Sequence, residues 1–402
     1  MADALPAAAA WPARLSSPGP KRILSIDGGG VRGALAIGIL RQIEQTLRDQ
    51  SGRPDLVLAD YFDLIGGTST GAIIAGALAL GREISYLDDL YRTFGAKIFR
   101  RGALRLPFFQ ARFDPRRLAK VLRDEVGDVT LGSAPWRTGF AAVAKRVDTG
   151  SPWLLTNCPD ARFWPGDPEE IAREPDPAKR EIIANRDLPL AQVLHSSAAA
   201  PFFFDLVTVE VERGKPGVFF DGGITPHGNP ALQLAMAALV PDYGFRWAPG
   251  ADNLLIVSVG TGGHKEMRPA WVHHRVASIW KAMLALRSAA YDSSQLSIAM
   301  LQWLGVSAQP WHINSEVGTL HDVRPGIEPL WRFVRYDAPL EGPWLAKALG
   351  LELSPLQTAA MSHMDDDRQI PALFDLGVAA GAHLVKPEHF PASFMPTPAS
   401  AI

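Results

Sequence analysis

The segment ILSIDGGGVRGALAIGIL, residues 23–40, constrains the fold of this chain more strongly than any other. Residues 23–26 form an apolar run that predicts a short buried strand, and a run of glycines follows. From residue 34 to 48 apolar side chains recur every four positions, which predicts an amphipathic helix. A strand, a glycine loop and a helix in this order are typical of an α/β fold.

The rest of the chain alternates between strand and helix patterns. Strands are predicted at 62–66, 139–146, 152–156, 206–212, 217–220, 253–259 and 331–336, and helices at 72–80, 85–98, 115–125, 271–304 and 368–383. Residues 157–180 are rich in proline and charge and predict a long surface excursion. This alternation predicts a mainly parallel central sheet covered by helices on both faces.

Composition narrows the classes of function. The 402 residues carry a net charge of −2, without the basic excess of a nucleic-acid-binding protein, so no nucleic-acid partner is expected. No apolar run reaches the roughly 18 residues that span a bilayer. Residues 1–20, rich in Ala and Pro, lack the basic start of a signal peptide and predict a disordered tail. A cytoplasmic protein is therefore predicted.

The glycine loop at residues 28–33 matches the G-x-G-x-x-G fingerprint of dinucleotide-binding proteins. Asp27, directly before the loop, would repel a pyrophosphate. The acidic residue expected about 20 positions later, at the end of a second strand, is also out of place. Asp49 ends a helix pattern, and Asp60 lies too far along the chain. A tight turn without any ligand is a second interpretation.

An oxyanion hole is a third interpretation of the same loop. Gly28, Gly29 and Gly30 can bring several backbone N–H groups close together, because no Cβ atom interferes. Arg32 adds a positive charge beside them. Donors aimed at a developing oxyanion supply about 3 kcal/mol each. This interpretation requires a nucleophile nearby.

Ser69 is the candidate nucleophile. It lies in GTSTG, residues 67–71, a G-x-S-x-G pattern between a predicted strand and a predicted helix, as in a nucleophile elbow. A glycine-rich turn with a capping serine is the alternative. The base is His363, which has the late position of a triad histidine, or Asp221, which follows an apolar strand and precedes two glycines. Partial burial would raise the pKa of such a carboxylate and improve it as a proton acceptor.

These three motifs, in this order, resemble those of the patatin-like phospholipases, lipid acyl hydrolases related to plant patatin and cytosolic phospholipase A2. The motifs are DGGGVRG (27–33), GTSTG (67–71) and DGG (221–223). The resemblance implies a three-layer α/β/α sandwich. It covers residues 21–390, with the motifs within 27–223 and a C-terminal helical portion at 265–390. A second Pro-rich tail is predicted at 391–402.

The resemblance also implies a mechanism and a substrate class. Ser69 would be the nucleophile, Asp221 the base without a catalytic histidine, and Gly28–Gly30 the oxyanion hole. Arg32 would hold the loop or a substrate phosphate. The expected reaction is the hydrolysis of lipid carboxylic esters through an acyl-enzyme, without a metal or a cofactor. A nucleotide-binding protein and a triad esterase are the alternatives, and the oligomeric state is open.

The segment 97–120 is a candidate membrane contact. Its basic residues far outnumber its single acid, Asp114, and phenylalanines are interleaved with them. Basic side chains attract anionic lipid while aromatic rings enter the interface, which would make this a peripheral membrane surface. A solvated helix pair whose phenylalanines fill the core is the alternative.

Overall fold

The computed structural model describes residues 11–98, 114–133, 135–201, 203–263, 278–321 and 323–396. The strands are β1 (Lys21–Ile26), β2 (Leu64–Thr68), β3 (Gly139–Arg146), β4 (Pro152–Thr156), β5 (Val207–Glu212), β6 (Lys215–Asp221), β7 (Leu254–Val259) and β8 (Arg332–Tyr336). The helices are α1 (Trp11–Ser16), α2 (Gly33–Ser51), α3 (Leu58–Tyr61), α4 (Thr70–Ala79), α5 (Ile84–Ile98), α6 (Pro115–Val126), α7 (Pro168–Arg173), α8 (Leu190–Ser197), α9 (Ala231–Leu239), α10 (Ser278–Trp303), α11 (Gly342–Leu349), α12 (Pro355–Ser362) and α13 (Ile370–Leu384).

The strands form one mixed sheet in the order β5-β6-β3-β2-β1-β7-β8, with β4 also paired to β3. The pairs from β3 through β2, β1 and β7 to β8 are parallel, whereas β4, β5 and β6 join by antiparallel pairs. Strands β2 and β7 are buried at every residue, as expected of parallel strands covered on both faces. The predicted mainly parallel sheet is confirmed.

Helices lie on both faces of this sheet. A side chain at Gly66 of β2 would meet Leu234 of α9, whereas one at the next residue, Gly67, would overlap Gly71 of α4. Successive strand residues point to opposite faces, so α9 and α4 cover opposite sides. The absence of a side chain at Gly67 lets the start of α4 approach β2 closely. This close approach fixes the position of Ser69, which lies between the end of β2 and the start of α4.

The N-terminal prediction is wrong from residue 11 onward. Residues 1–10 lie outside the described residues, but α1 buries Trp11 and Leu15, four residues apart on one helix face. Arg14, between them, donates to Asp63 at 3.1 Å. Trp247 donates its indole N–H to the Leu15 carbonyl at 2.9 Å. Trp11 and Leu15 supply enough buried surface to order a segment whose Ala and Pro content suggested disorder.

The C-terminal tail is also partly ordered. Phe394 is buried, and its carbonyl accepts a hydrogen bond from Arg22 of β1 at 3.0 Å. Residues 397–402 lie outside the described residues. The portion predicted as helical, 265–390, also supplies β8 to the sheet. Each predicted strand corresponds to an observed one within about two residues. The helices that were not predicted, apart from α1, are α3, α7, α8, α9, α11 and α12.

Candidate active site

The ends of two strands, β2 and β6, which lie on either side of β3, bring Ser69 and Asp221 together. Ser69 directly follows β2, whose last residue, Thr68, pairs with Val143 of β3. Asp221 is the last residue of β6 and pairs with Ala144, the next residue of β3. The two side chains therefore stand at the same level of the sheet. The Ser69 Oγ donates a hydrogen bond of 2.5 Å to Oδ2 of Asp221.

Ser69 has a backbone conformation that residues with a side chain rarely adopt. Its φ is 58° and its ψ is −127°, and it lies directly before α4. Such conformations cost of order 1–3 kcal/mol and persist only where the surroundings enforce them. The surroundings are tight: a side chain at Gly71 would overlap the Ile26 carbonyl of β1. The turn presents the hydroxyl at the positive end of the α4 dipole, which stabilises negative charge on oxygen.

A second serine fixes the backbone of this turn. Ser197, at the end of α8, accepts the Ser69 N–H at 2.9 Å and donates to the Val143 carbonyl at 2.6 Å. Ser197 is buried, so neither bond competes with water. The Ser197 hydroxyl thus links the turn at Ser69 to β3. The sequence analysis assigned no role to Ser197, because the contact spans 128 residues.

Asp221 has the properties of a general base. It is buried, and burial raises its pKa to about 6, against the hydrogen bonds from Ser69 and the Gly223 N–H that lower it. The Gly223 N–H donates to Oδ1 at 2.6 Å, so the two carboxylate oxygens have separate partners. At neutral pH the group is ionised yet a better proton acceptor than a solvated aspartate.

The glycine loop offers two free donors rather than the three predicted. The Gly28 N–H donates to the carbonyl of Gly228 at 3.0 Å and is therefore occupied. The Val31 N–H donates to Met364 at 3.0 Å. Among the described residues, no acceptor bonds the N–H of Gly29 or Gly30. These two N–H groups are the ones that could bind an oxyanion.

Gly30 cannot be replaced by a residue with a side chain. Its φ is +60°, and a Cβ atom there would overlap the carbonyl oxygen of Met364. Its own carbonyl accepts a bond from Thr70 Oγ1 at 3.1 Å, and Thr70 also bonds the Tyr91 hydroxyl at 2.7 Å. The loop is thus joined to the residue after Ser69.

Arg32 supports the loop. Its Nη1 donates to the carbonyl of Gly262 at 2.7 Å, beyond the end of β7. The sequence analysis left open whether this side chain holds the loop or a substrate phosphate, and the observed bond corresponds to the first role.

A buried ion cluster lies beneath the loop. Arg335 of β8 donates to both carboxylate oxygens of Asp27, at 3.0 and 2.6 Å, and to Asp337 at 2.7 Å. Burial raises the pKa of Asp27 to about 6, although Arg335 opposes this rise. Burial alone would lower the pKa of Arg335, but the two carboxylates raise it above its usual value. Asp337 also accepts the Gly262 N–H at 2.8 Å, which extends the cluster to the residue that holds Arg32.

Ser69 and Asp221 line an apolar pocket whose empty volume, including its opening to solvent, is about 740 Å³. Its walls include Ile73, Leu118 and Phe203. A mostly apolar pocket with a few convergent polar groups is typical of a ligand site. A fatty acyl chain fits such a lining better than a charged cofactor does.

Comparison with known proteins agrees with this geometry. The model of the family described as "Patatin-like phospholipase" matches residues 24–235. The chain belongs to this family. The three motifs and both members of the hydrogen-bonded Ser69–Asp221 pair fall inside the matched region. The predicted family resemblance is confirmed.

The curated relatives are plant patatins. Patatin group J-1 of Solanum tuberosum is 28% identical over 272 residues, which cover 63% of this chain and 64% of that protein. Patatin-12 of the same plant is 26% identical over 284 residues, 66% of this chain and 67% of that protein. The chain thus matches about two thirds of their length. Among solved structures, VipD from Legionella pneumophila is 13% identical over 90% of this chain and 67% of that one, with a TM-score of 0.32, too low to support an inference.

The side chains that the alternative interpretations require, those of His363, Asp49 and Asp60, are not among the residues that line the pocket. His363 is exposed at the end of α12, and it is the next residue, Met364, that lines the pocket. Asp60 accepts a hydrogen bond from Arg137 at 2.6 Å. Residues 99–113 of the predicted membrane segment lie outside the described residues. Within the described ranges, none of the helices combines the length and the hydrophobicity needed to cross a membrane.

Proposed function

We propose that this protein is a serine lipid acyl hydrolase, which cleaves carboxylic ester bonds of lipids by means of Ser69 and Asp221. The observation that carries the proposal is the 2.5 Å hydrogen bond between these side chains on the wall of an apolar pocket. Membership of the patatin-like phospholipase family supports the reaction class. The substrate needs an acyl chain that fills the pocket and an ester carbonyl within reach of Ser69.

The proposed reaction has two halves. Asp221 takes the Ser69 proton as Oγ attacks the ester carbonyl, and the N–H groups of Gly29 and Gly30 stabilise the tetrahedral oxyanion. The alcohol leaves with the proton held by Asp221, so that an acyl-enzyme remains. Once the alcohol has taken that proton, Asp221 deprotonates a water that attacks the acyl carbonyl, and it returns the new proton to Ser69 Oγ as the fatty acid is released.

The nucleotide-binding alternative has less support. Cradling a pyrophosphate takes several free N–H groups at the start of a helix. In this loop the Gly28 and Val31 N–H groups are bonded to other parts of the chain. The pocket beside the loop is apolar, and Asp27 beneath it carries a negative charge that Arg335 already binds.

A serine-reactive fluorophosphonate probe tests the proposal. The native protein should be labelled at Ser69 and should hydrolyse p-nitrophenyl esters and a phospholipid. Ser69→Ala should lose labelling and at least a thousandfold in kcat/KM, on the order of the loss when a hydrolase nucleophile is removed. Asp221→Ala should lose about 10²–10⁴-fold, the range for a general base.

His363→Ala is the matched control because it removes an exposed ionisable side chain near the pocket. It should retain full activity. Loss of activity in His363→Ala together with full activity in Asp221→Ala would replace the pair by a triad. An absence of labelling, together with binding of a nicotinamide dinucleotide, would instead favour the nucleotide-binding alternative.

The location of the protein in the cell and its contact with membranes stay predictions. The sequence predicts a cytoplasmic protein that contacts membranes through residues 97–120. Changing Phe108 and Phe109 to Ser should weaken binding to anionic vesicles, and unchanged binding would exclude this segment as the contact.

A further inference from the structure

A second cavity lies next to the active-site pocket. Its empty volume, part of which is open to solvent, is about 380 Å³. Two residues, Ile73 of α4 and Leu90 of α5, line both cavities. Ile73 lies one helical turn after the nucleophile, so this shared wall begins close to the reacting atoms.

The second cavity continues the first in one direction. On each of four helices, a residue of the second cavity lies one turn, about 5.4 Å, from a residue of the first. The pairs are Ile73 and Ala77 in α4, Leu90 and Tyr86 in α5, Leu118 and Leu122 in α6, and Ala198 and Leu194 at the end of α8. Two unrelated cavities would not be expected to keep this relation on four separate elements.

The far end of the second cavity is polar. The Tyr86 hydroxyl donates to Glu125, which ties α5 to α6. The Arg82 guanidinium lies over the Tyr86 ring, 4.9 Å from its centroid. These three residues line the cavity beyond an otherwise apolar wall. An apolar group is favoured along the wall but not at this end.

We propose that the two cavities form one binding site for a long acyl chain, and that Ile73 and Leu90 determine which chain lengths pass into its second part. The inference rests on the proposed ester hydrolysis and adds the chain length of the substrate. A short acyl chain occupies the first cavity alone. A long chain passes between Ile73 and Leu90, and its methyl end stops before Tyr86 and Glu125.

The kinetic consequence follows from the burial of methylene groups. Each methylene removed from water contributes about a fourfold gain in binding. Filling the second cavity with protein side chain removes that gain for long chains only. The relevant measurement is the ratio of kcat/KM for hexadecanoyl over butanoyl p-nitrophenyl esters. The active fraction of a preparation cancels in this ratio.

Ala77→Phe fills the second cavity, and the ratio should fall at least tenfold. Ile73→Ala widens the passage, and the ratio should rise. Ala77→Leu is a smaller replacement that serves if the phenylalanine variant does not fold, and it should lower the ratio in the same direction. Leu239→Ala, in α9 on the opposite face of the sheet, truncates a similarly half-buried residue and should leave the ratio unchanged.

The result that overturns the inference is a ratio unchanged in both Ala77 variants while the native protein hydrolyses the butanoyl ester. In that case the proposed function survives. If the native protein hydrolyses neither ester, the proposed function fails. A binding measurement then tests the shared acyl-chain site without catalysis. A fluorescent hexadecanoic acid should then bind Ser69→Ala at least tenfold more tightly than Ser69→Ala with Ala77→Phe, and equal affinity would refute the shared site.

Discussion

Replacing Asp221 by Asn should stabilise the protein while lowering its activity by about 10²–10⁴-fold. The wild-type carboxylate is buried, with its pKa raised from 3.8 to about 6. At about 1.4 kcal/mol per pKa unit, this difference corresponds to about 3 kcal/mol. The Asn side chain fits the same contacts, since its Oδ1 can accept the Gly223 N–H while its amide donates to the Ser69 oxygen.

The sign follows from proton linkage. Between about pH 4 and pH 6 the folded protein holds a proton on Asp221 that the unfolded chain releases, so wild-type stability falls as the pH rises through this range. Asn has no such titration. The free energy of unfolding of the variant should therefore gain about 3 kcal/mol on the wild type between pH 4 and pH 7. Other titrating groups contribute equally to the free energy of unfolding of both proteins, so the difference between the two values reports on Asp221 alone.

Urea unfolding followed by tryptophan fluorescence at several pH values measures this difference. Ser69→Ala is the control, because it keeps the carboxylate but removes a bond that favours its charged form. Its titration should persist with a midpoint above that of the wild type. In the wild type, kcat/KM should rise with pH around the same pKa, near 6. Parallel stability curves for the wild type and Asp221→Asn between pH 4 and pH 7 would refute the reasoning.

Three further substitutions test contacts that hold the site and the fold. Arg335→Met should destabilise the protein by about 3–5 kcal/mol in urea unfolding, since Asp27 stays buried without its cation; adding Asp27→Asn should recover part of the loss. Ser197→Ala should leave the buried Ser69 N–H without an acceptor, costing about 1–3 kcal/mol, and should lower kcat more than it changes KM. Trp11→Ala should cost about 3–5 kcal/mol, whereas a disordered segment would tolerate the change with no shift of the urea midpoint.

Local signals were sufficient for the parts of the site that lie within one strand, turn and helix. The pattern at 23–48 predicted β1 and α2, because burial on a sheet and on one helix face imposes different periods on the sequence. The glycines around Ser69 predicted a strained turn for the same local reason, and the observed φ of 58° agrees. The strand before Asp221 was predicted within two residues.

Contacts between distant segments were not predictable in this way. Asp27 and Arg335 are 308 residues apart, and they meet only because β7 and β8 are added to β1 in the sheet. The bond from Gly28 to Gly228, which removes one predicted donor, depends in the same way on where the chain returns after β6. The local sequence around one residue of such a pair does not predict the other residue, because the order of strands in the sheet decides which loops lie side by side.

The position of β1 in the middle of the sheet has a consequence for any attempt to isolate the motif-bearing region. A fragment cut after residue 235 would retain all three motifs but lose β7, so β1 would become an open edge strand with unpaired backbone groups. The same cut would remove Arg335 and Met364, the partners of Asp27 and Val31. We therefore expect such a fragment to aggregate rather than to retain activity. A transplant of this chemistry into another protein would have to carry the whole sheet.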